Sequence, residues 1–451
     1  MACEQGANAA RKGDGMAEMY GAIARAVACI MDADYAGQPE SAPCSDAQSW
    51  LAALAEAEAA GALDDDLFVQ RIRQYLAGFQ DPGLALEASA KADFHPMTCG
   101  FSVRRHGGAL YVTEVREDGR LAPGDAVVLL DGRTPDEHLA SLPGNPVNGD
   151  DPERQLWDEE VARCAHLLVR RADGTEEDLP VERFPRPGLA ASLRPPTVEV
   201  REGAGPHGNE RAVVIAAHHF ADASVLQAMQ HRFDEIQRAD RVIVDVRDAE
   251  EGMIGNAFGL MALFFDREVN LKDLMGQQIV YTRYTERNAR LRARQLARLL
   301  KMSDEAGKAW VQAEIDHVAA CAGQGFVKEA EFEEDMLFPP APAGQKTLLL
   351  TDVRTSGPAE RLAAIARRAA AQGCGKVHSV GRATRGGLDY ANLVVAPLDE
   401  RFSLVYPIAK TEDAHEGCGL RGRGLAPDVH APFTPEECMR DLVLKRALVE
   451  P

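Results

Sequence analysis

The sequence lacks several features that would place it in common protein classes. Its 451 residues include no apolar run long enough to cross a membrane, and no apolar segment follows the charges of the first twenty residues. We therefore expect neither a membrane span nor a secretory signal. Positive charge is also scarce, since 50 Lys and Arg stand against 70 Asp and Glu and the formal net charge is -20. A phosphate backbone would be repelled, which argues against nucleic acid as a partner.

Closely spaced cysteine pairs are absent as well. The nine cysteines are scattered and no Cys-x-x-Cys occurs, so the sequence predicts neither a disulfide framework nor a zinc site. A reducing cytoplasm fits this pattern, and we expect no metal and no cofactor. The chain does have the composition of a globular protein, with 45% hydrophobic and 27% charged residues. Its length suggests about two to four domains.

The pattern of apolar residues divides the chain into three parts. Residues 1–93 have the pattern of amphipathic helices, and three aspartates at 64–66 place negative charge where it suits a helix N-terminus. Residues 94–185 alternate like strands, whereas residues 186–451 alternate strands with helices, which predicts an α/β core. Charged helical stretches interrupt this core at about 283–342. We interpret them as a solvated helical insertion. The alternative is a lid or an arm that joins subunits, so the sequence leaves it open whether the protein forms an oligomer.

One segment of the middle part resembles a PDZ domain. A Leu-x-x-Gly-Asp turn at 121–125 is followed by an apolar strand that ends in Asp131-Gly132. PDZ-type domains bind peptides by adding a strand to an exposed sheet edge, so the resemblance implies a peptide or protein C-terminus as partner. The alternative is a small β-barrel that only packs against its neighbours.

The stretch at 346–367 carries the clearest functional signal of the core. Leucines at 348–350 predict a buried strand, and the turn at 354–358 leads into a helix with one apolar face. Ser356 thus lies at a strand-to-helix turn, where an α/β protein places a nucleophile or binds an anion. The alternative is that Ser356 only caps the helix, with Pro358 at an early helical position.

Five motifs occur in the order found in the tail-specific (carboxyl-terminal processing) serine peptidases, and the chain resembles that family over nearly its whole length. They are Val244-Asp245-Val246-Arg247 before a glycine-containing turn, the Ser356 turn with its helix, Gly381-Arg382-Ala383-Thr384-Arg385-Gly386-Gly387, Gly422-Arg423-Gly424-Leu425-Ala426-Pro427-Asp428, and the closing segment from Asp441 to Leu448. The resemblance implies a crotonase/ClpP-like layered α/β core with an N-terminal helical domain and a PDZ-like β domain. The activity it implies is peptide-bond hydrolysis.

The resemblance also implies site residues. Ser356 is the candidate nucleophile, although aligning Glu360 with the family's glutamate would put Gly357 at the serine. One branch of the family uses a lysine as base, and that position is Gly387 here. The branch with the tricorn core and the retinoid-binding protein repeats has glycine there. Its active enzymes use a histidine instead, at the position that Gly83 occupies in this chain.

The oxyanion and acid positions also differ from the family pattern. The resemblance assigns the oxyanion amides to Gly252 and Gly357, but two glutamates at 250–251 would oppose a developing negative charge. Arg421 stands where the family often has its acid, and Glu416 is the nearest replacement.

Two functions therefore stay open. The first is a serine peptidase with Ser356 as nucleophile and an unassigned base, for which His95 and His219 are the histidines to test. The second is a catalytically inactive relative that binds a peptide or a protein partner. A third interpretation, an unrelated crotonase-like enzyme acting on an acyl thioester, shares the core architecture but neither the PDZ-like insertion nor the later motifs.

Overall fold

The structure is a computed structural model that describes residues 20–37, 47–142, 147–149, 151–188, 193–250 and 252–450. The sequence also predicts a helix cap at Ser45 or Asp46. Those two residues and Glu251 lie outside these ranges. The predicted α/β class is confirmed, because the described residues contain three larger sheets and helices on both faces of the central one.

Three helices begin the described chain: α1 (20–33), α2 (Ala47–Ala59) and α3 (Asp65–Ala77). Asp64 caps α3 by accepting a hydrogen bond from the Leu67 amide, and two further aspartates lie in the first turn, where the helix dipole favours negative charge. The apolar faces of these helices pack into one hydrophobic cluster together with strands near residues 394–408. The N-terminal part predicted as a domain thus shares its interior with the core.

The middle part is built mainly of antiparallel strands. After β1 (Ala85–Ala88), the strands are β2 (Met97–Thr98), β3 (Phe101–His106), β4 (Ala109–Val115), β5 (Ala126–Leu130), β6 (His166–Arg170), β7 (Glu176–Pro180) and β8 (Phe184–Pro185). Strands β3 to β7 form a sheet in chain order, and β2 pairs with β8. Helices α4 (Pro135–Ser141) and α5 (Asp158–Arg163) lie between β5 and β6. The predicted turns exist, with positive φ at Gly124, Asp131 and Gly132; the PDZ resemblance itself stays a prediction.

The remaining strands and helices form the core and its insertion. The strands are β9 (Thr197–Ala204), β10 (Glu210–Ala216), β11 (Arg241–Asp245), β12 (Val269–Asn270), β13 (Gln278–Tyr284), β14 (Gly325–Glu331), β15 (Leu337–Phe338), β16 (Lys346–Thr351), β17 (Val377–Gly381), β18 (Tyr390–Pro397), β19 (Phe402–Thr411) and β20 (Val429–His430). The helices are α6 (Ser224–His231), α7 (Phe233–Gln237), α8 (Ile254–Met261), α9 (Leu271–Met275), α10 (Glu286–Met302), α11 (Glu305–Cys321), α12 (Gly357–Ala371), α13 (Glu412–His415) and α14 (Leu442–Val449).

The central sheet has the strand order β20-β17-β16-β11-β10-β9. Only β9 runs antiparallel to its neighbour; the other pairs are parallel. Alternate residues of β11 and β16 point to opposite faces, and helices α6, α8 and α12 cover one face while α14 covers the other. Burial on both faces explains the continuous apolar runs that the sequence shows there.

A second sheet joins the N-terminal part to the core. Strand β19 pairs with β1, β13 and β18, and β13 also pairs with β14. Helices α10 and α11 lie between β13 and β14, so the predicted helical insertion is a pair of helices between two paired strands. The sheet thus combines β1, which follows α3 in sequence, with β18 and β19, which come after Ser356.

Three local predictions are wrong. The sequence pattern of residues 401–406 predicts an edge strand, but β19 has partners on both sides because β1 and β13, which are distant in sequence, pair with it in addition to β18. The sequence pattern predicts a helix over 157–168, but the helix ends at Arg163 and β6 begins at His166. The acidic stretch 305–337 has a mostly helical pattern, but its helix ends at Cys321 and residues 325–331 form β14, which pairs with β13.

Candidate functional site

The turn that contains Ser356 is held by hydrogen bonds on both sides. The Thr355 hydroxyl donates to the Val246 carbonyl oxygen at 2.9 Å and accepts from the Asp352 amide at 3.0 Å. Gly357 begins α12 with a φ of 53°, a conformation that glycine adopts without steric cost. The turn follows the carboxyl end of β16, the edge where open parallel sheets bind ligands.

Ser356 occupies the N-cap position of α12, but its hydroxyl does not cap the helix. The side chain forms no hydrogen bond to the first-turn amides. Its Oγ lies 3.5 Å from the Glu250 carbonyl oxygen, and its amide donates to the Ala249 carbonyl oxygen at 3.2 Å. The capping hydrogen bond considered as the alternative is therefore absent, and Pro358 does lie at an early helical position.

Ser356 lines a cleft of about 730 Å³. All three parts of the chain contribute to its wall: residues near 73–86 from the helical part, residues of 98–117 and 156–159 from the β part, and Glu250, Arg354, Ser356 and Arg385 from the core. Arg354 joins two of these parts, because its guanidinium lies 2.6 Å from an Asp158 carboxylate oxygen and 3.4 Å from one of Glu250. These charges raise the pKa of Arg354 against the effect of burial, so it stays protonated.

The segment around Gly83, where the family has its histidine, does lie in this cleft. Its titratable side chain is Asp81, which accepts hydrogen bonds from the Tyr35 hydroxyl and the Gly83 amide, each at 2.8 Å. Burial raises the pKa of Asp81 to about 6. The positive charge of Arg421 lowers the pKa of Asp81 in part, and the Arg421 guanidinium donates to the Phe79 carbonyl oxygen at 3.3 Å.

The two motif positions that the family uses for histidine and acid therefore meet here with other groups. The early segment brings a carboxylate, Asp81, and the later segment brings a guanidinium, Arg421. Neither is an imidazole, and a guanidinium does not lose its proton in proteins. The motifs locate both positions in the sequence, but they do not single out Asp81, because its burial depends on the fold.

Gly387, the position of the lysine in the other branch, packs against the cleft wall. A Cβ atom placed there would lie 2.7 Å from Pro82 Cγ and 3.6 Å from a Glu360 carboxylate oxygen. Glu360 is fully buried and accepts hydrogen bonds from the Thr384 hydroxyl and from the Gly386 and Gly387 amides. Burial raises the pKa of Glu360 and these hydrogen bonds lower it in part. Glu360 thus holds residues 381–387, which we call the glycine-rich loop, in place beside Ser356.

Three further predicted site residues do not line the Ser356 cleft. The His95 side chain is 70% exposed, with Nδ1 3.9 Å from Asp66 and 3.8 Å from Asp93. His219 is buried, and its Nδ1 accepts a hydrogen bond from the Ala221 amide at 3.2 Å. Glu416 is exposed at the end of α13. None of the three lines the Ser356 cleft, and their assignment as base or acid stays a prediction.

The two glycines assigned to the oxyanion site have different surroundings. Gly252 forms a bridge with Phe220, and a Cβ there would lie 2.0 Å from the Phe220 carbonyl carbon, so no larger residue fits. Gly357 lies beside the Glu250 carbonyl oxygen. The atom that this loop directs at Ser356 Oγ is thus an acceptor, whereas an oxyanion needs donors.

Within the described ranges, no group of three or more His, Cys, Asp or Glu side chains could hold a metal ion. No helix in that part of the chain combines the length and the apolar character needed to cross a bilayer.

No protein-family model and no curated protein matches the chain. Among solved structures, mature CPAF complexed with lactacystin aligns at a TM-score of 0.60 and 12% identity, over 96% of this chain and 97% of that chain. A mutant of CPAF aligns at a TM-score of 0.62 and 11% identity, over 96% and 98%. The photosystem II D1 C-terminal processing protease aligns less well, at 0.42 and 16% identity over 93% of each chain.

At these identities the comparisons establish fold. Nearly the whole chain, from the helical part to the last helix, follows the CPAF fold. The predicted resemblance is therefore confirmed as a likeness of fold.

Proposed function

We propose that the protein binds an extended polypeptide segment in the Ser356 cleft. The observation that supports this proposal is the cleft itself, about 730 Å³ in volume and lined by all three parts of the chain. That volume lies within the range of about 300 to 1,000 Å³ typical of ligand sites. The peptidase-like fold points to a peptide or protein as the ligand, and a peptide or protein C-terminus is one such segment.

Binding is favoured over hydrolysis by the groups around Ser356. Among the described lining residues there is no histidine and no lysine that could take the hydroxyl proton. The contact of Ser356 Oγ is the Glu250 carbonyl oxygen, which would repel the oxyanion of an acyl-transfer step. An inactive relative that keeps the cleft for binding accounts for both features.

Hydrolysis by Ser356 is the second candidate. One observation favours it: the Ser356 hydroxyl is not used as a helix cap although it stands at the cap position, and it lines the cleft. In this mechanism Oγ attacks the scissile carbonyl carbon, its proton passes to a base, and the base returns the proton to the amine that leaves as the C–N bond breaks. Among the cleft carboxylates, Asp81 is the candidate base, because burial raises its pKa to about 6.

The two functions separate in one pair of measurements. A fluorophosphonate probe should leave the folded protein unlabelled if it only binds, and should label it at Ser356 if it is a peptidase. Ser356→Ala would then remove the label, whereas the control Ser303→Ala, on an exposed serine between α10 and α11, would keep it. Retention of peptides from a random library on the immobilised protein tests binding, and a protein that retains none contradicts the proposal.

A further inference from the structure

The cleft contains a guanidinium that forms no hydrogen bond and no ion pair with the described residues. Arg354 is paired with Asp158 and Glu250, as described above. The Arg385 guanidinium lines the same cleft, but within the described residues it forms no hydrogen bond and no ion pair. A half-buried cation without a partner is unusual, because burial removes water and nothing replaces it.

The backbone of Arg385 is fixed next to Ser356. Its amide donates to the Thr355 carbonyl oxygen at 2.9 Å, and its own carbonyl oxygen accepts from the Arg154 guanidinium at 2.9 Å. Glu360 holds the amides of the next two residues. The backbone from which the Arg385 side chain extends is therefore held in place by hydrogen bonds, one of them to Thr355, the residue before Ser356.

The two carboxylates whose charges act most strongly on the Arg385 guanidinium already have other partners. Glu250 pairs with Arg354, and Glu360 accepts three hydrogen bonds. Burial, with the like charge of Arg354, lowers the pKa of the Arg385 guanidinium. A second cleft arginine, Arg73 of α3, also has no ion pair among the described residues, and its guanidinium lies 5.2 Å from the centre of the Phe94 ring.

We infer that Arg385 binds a carboxylate of the polypeptide in the cleft, so that the ligand is a peptide with an acidic side chain or a free C-terminal carboxylate near Ser356. This inference rests on the proposed function. A guanidinium presents two parallel N–H donors that match the two oxygens of a carboxylate. Its desolvation on binding costs little free energy, because a guanidinium is weakly hydrated. The protein as a whole is strongly acidic, with a net charge of -20, and would repel an acidic peptide elsewhere on its surface. The local positive charge of Arg385 therefore favours binding of a carboxylate in the cleft.

Three fluorescein-labelled octapeptide pools, randomised without Asp or Glu, test the inference by fluorescence anisotropy. The first is C-terminally amidated with one fixed Glu, the second is amidated with Gln at that position, and the third has Gln and a free C-terminus. We expect the full-length protein to bind the first or the third pool about tenfold or more tightly than the second. A preference for the first identifies an acidic side chain, and a preference for the third identifies the terminal carboxylate.

Variants assign the preference to the side chain. Arg385→Gln should remove it and Arg385→Lys should keep part of it, whereas Arg238→Gln, which removes a charge from a side chain that is 73% exposed outside the cleft, should leave it unchanged. Equal binding of all three pools by the unmodified protein, or a full preference in folded Arg385→Gln, would overturn the inference and leave peptide binding intact. Binding of no pool would overturn the proposed function and this inference with it.

Discussion

The carboxylate of Glu360 gives the sharpest test of how the site is held together. Its side chain has 0% relative exposure, and it accepts hydrogen bonds from the Thr384 hydroxyl and from the amides of Gly386 and Gly387, the latter at 2.6 and 2.9 Å. Glu360→Ala removes all three acceptors at once. We expect the glycine-rich loop to lose its fixed position while the central sheet stays folded.

The magnitude follows from the donors that would be left. The Thr384 hydroxyl still accepts from the Leu425 amide at 2.8 Å, but as a buried donor it too would lose its acceptor. Each buried amide left without an acceptor costs about 1–3 kcal/mol. The burial that raises the pKa of Glu360 offsets part of this cost, because the carboxylate is no longer desolvated. A net loss of about 3 kcal/mol remains, which corresponds to roughly a hundredfold in an equilibrium constant.

Hydrogen exchange measured by mass spectrometry reads this loss locally. Peptides that cover residues 382–389 should exchange roughly a hundredfold faster in Glu360→Ala than in the unmodified protein. Glu360→Gln should fall between them, since it keeps one acceptor oxygen but turns an N–H toward a donor. Peptides from the β6–β7 hairpin serve as the internal control. Exchange of the loop within threefold of the unmodified protein, at unchanged overall folding, would refute this account of the loop.

Three further predictions concern stability, each measured by denaturant unfolding. Asp81→Asn should become progressively stabilising relative to the unmodified protein as pH rises from 4 to 7, by up to about 3 kcal/mol. The reason is that the pKa of Asp81 is raised from 3.8 to about 6, so that its charged form destabilises the folded state only above the ordinary pKa. A pH-independent difference in the free energy of unfolding would contradict this. Gly387→Ala should cost about 1–3 kcal/mol through the contact with Pro82, whereas Gly108→Ala, with open space around it, should cost almost nothing. Arg241→Ala should cost about 3–5 kcal/mol, because this fully buried guanidinium pairs with a glutamate and donates to two carbonyl oxygens near the C-terminus; equal stability would exclude that role.

The sequence predicted well those features that depend on residues close together in the chain. The strand and helix around Ser356, the acidic N-terminus of α3 and the turns near Gly124 and Asp131 all follow from local propensity, and the structure contains each of them. The motif order predicted the fold, because five short matches spread along the chain are hard to produce without the same architecture.

Features that arise from distant pairing escaped the sequence. Strand β19 looked like an edge because its partners β1 and β13 lie far away in the chain. Arg385 lies within the motif Gly381–Gly387, but the sequence does not show that its guanidinium has no carboxylate partner among the described residues while that of Arg354 has two. Charge pairing depends on which side chains the fold brings within about 4 Å, and that information is not local.

The pairing of β1 with β19 has a consequence for how the protein is made. The contact between Ser89 and Glu400 joins residues that are 311 positions apart. During synthesis, helices α1 to α3 leave the ribosome long before the strands that complete their hydrophobic cluster exist. Their apolar faces stay uncovered until the chain has passed β19, and such non-local closure slows folding. The nascent N-terminal part is therefore the segment where we expect chaperones to act and where truncated products would aggregate.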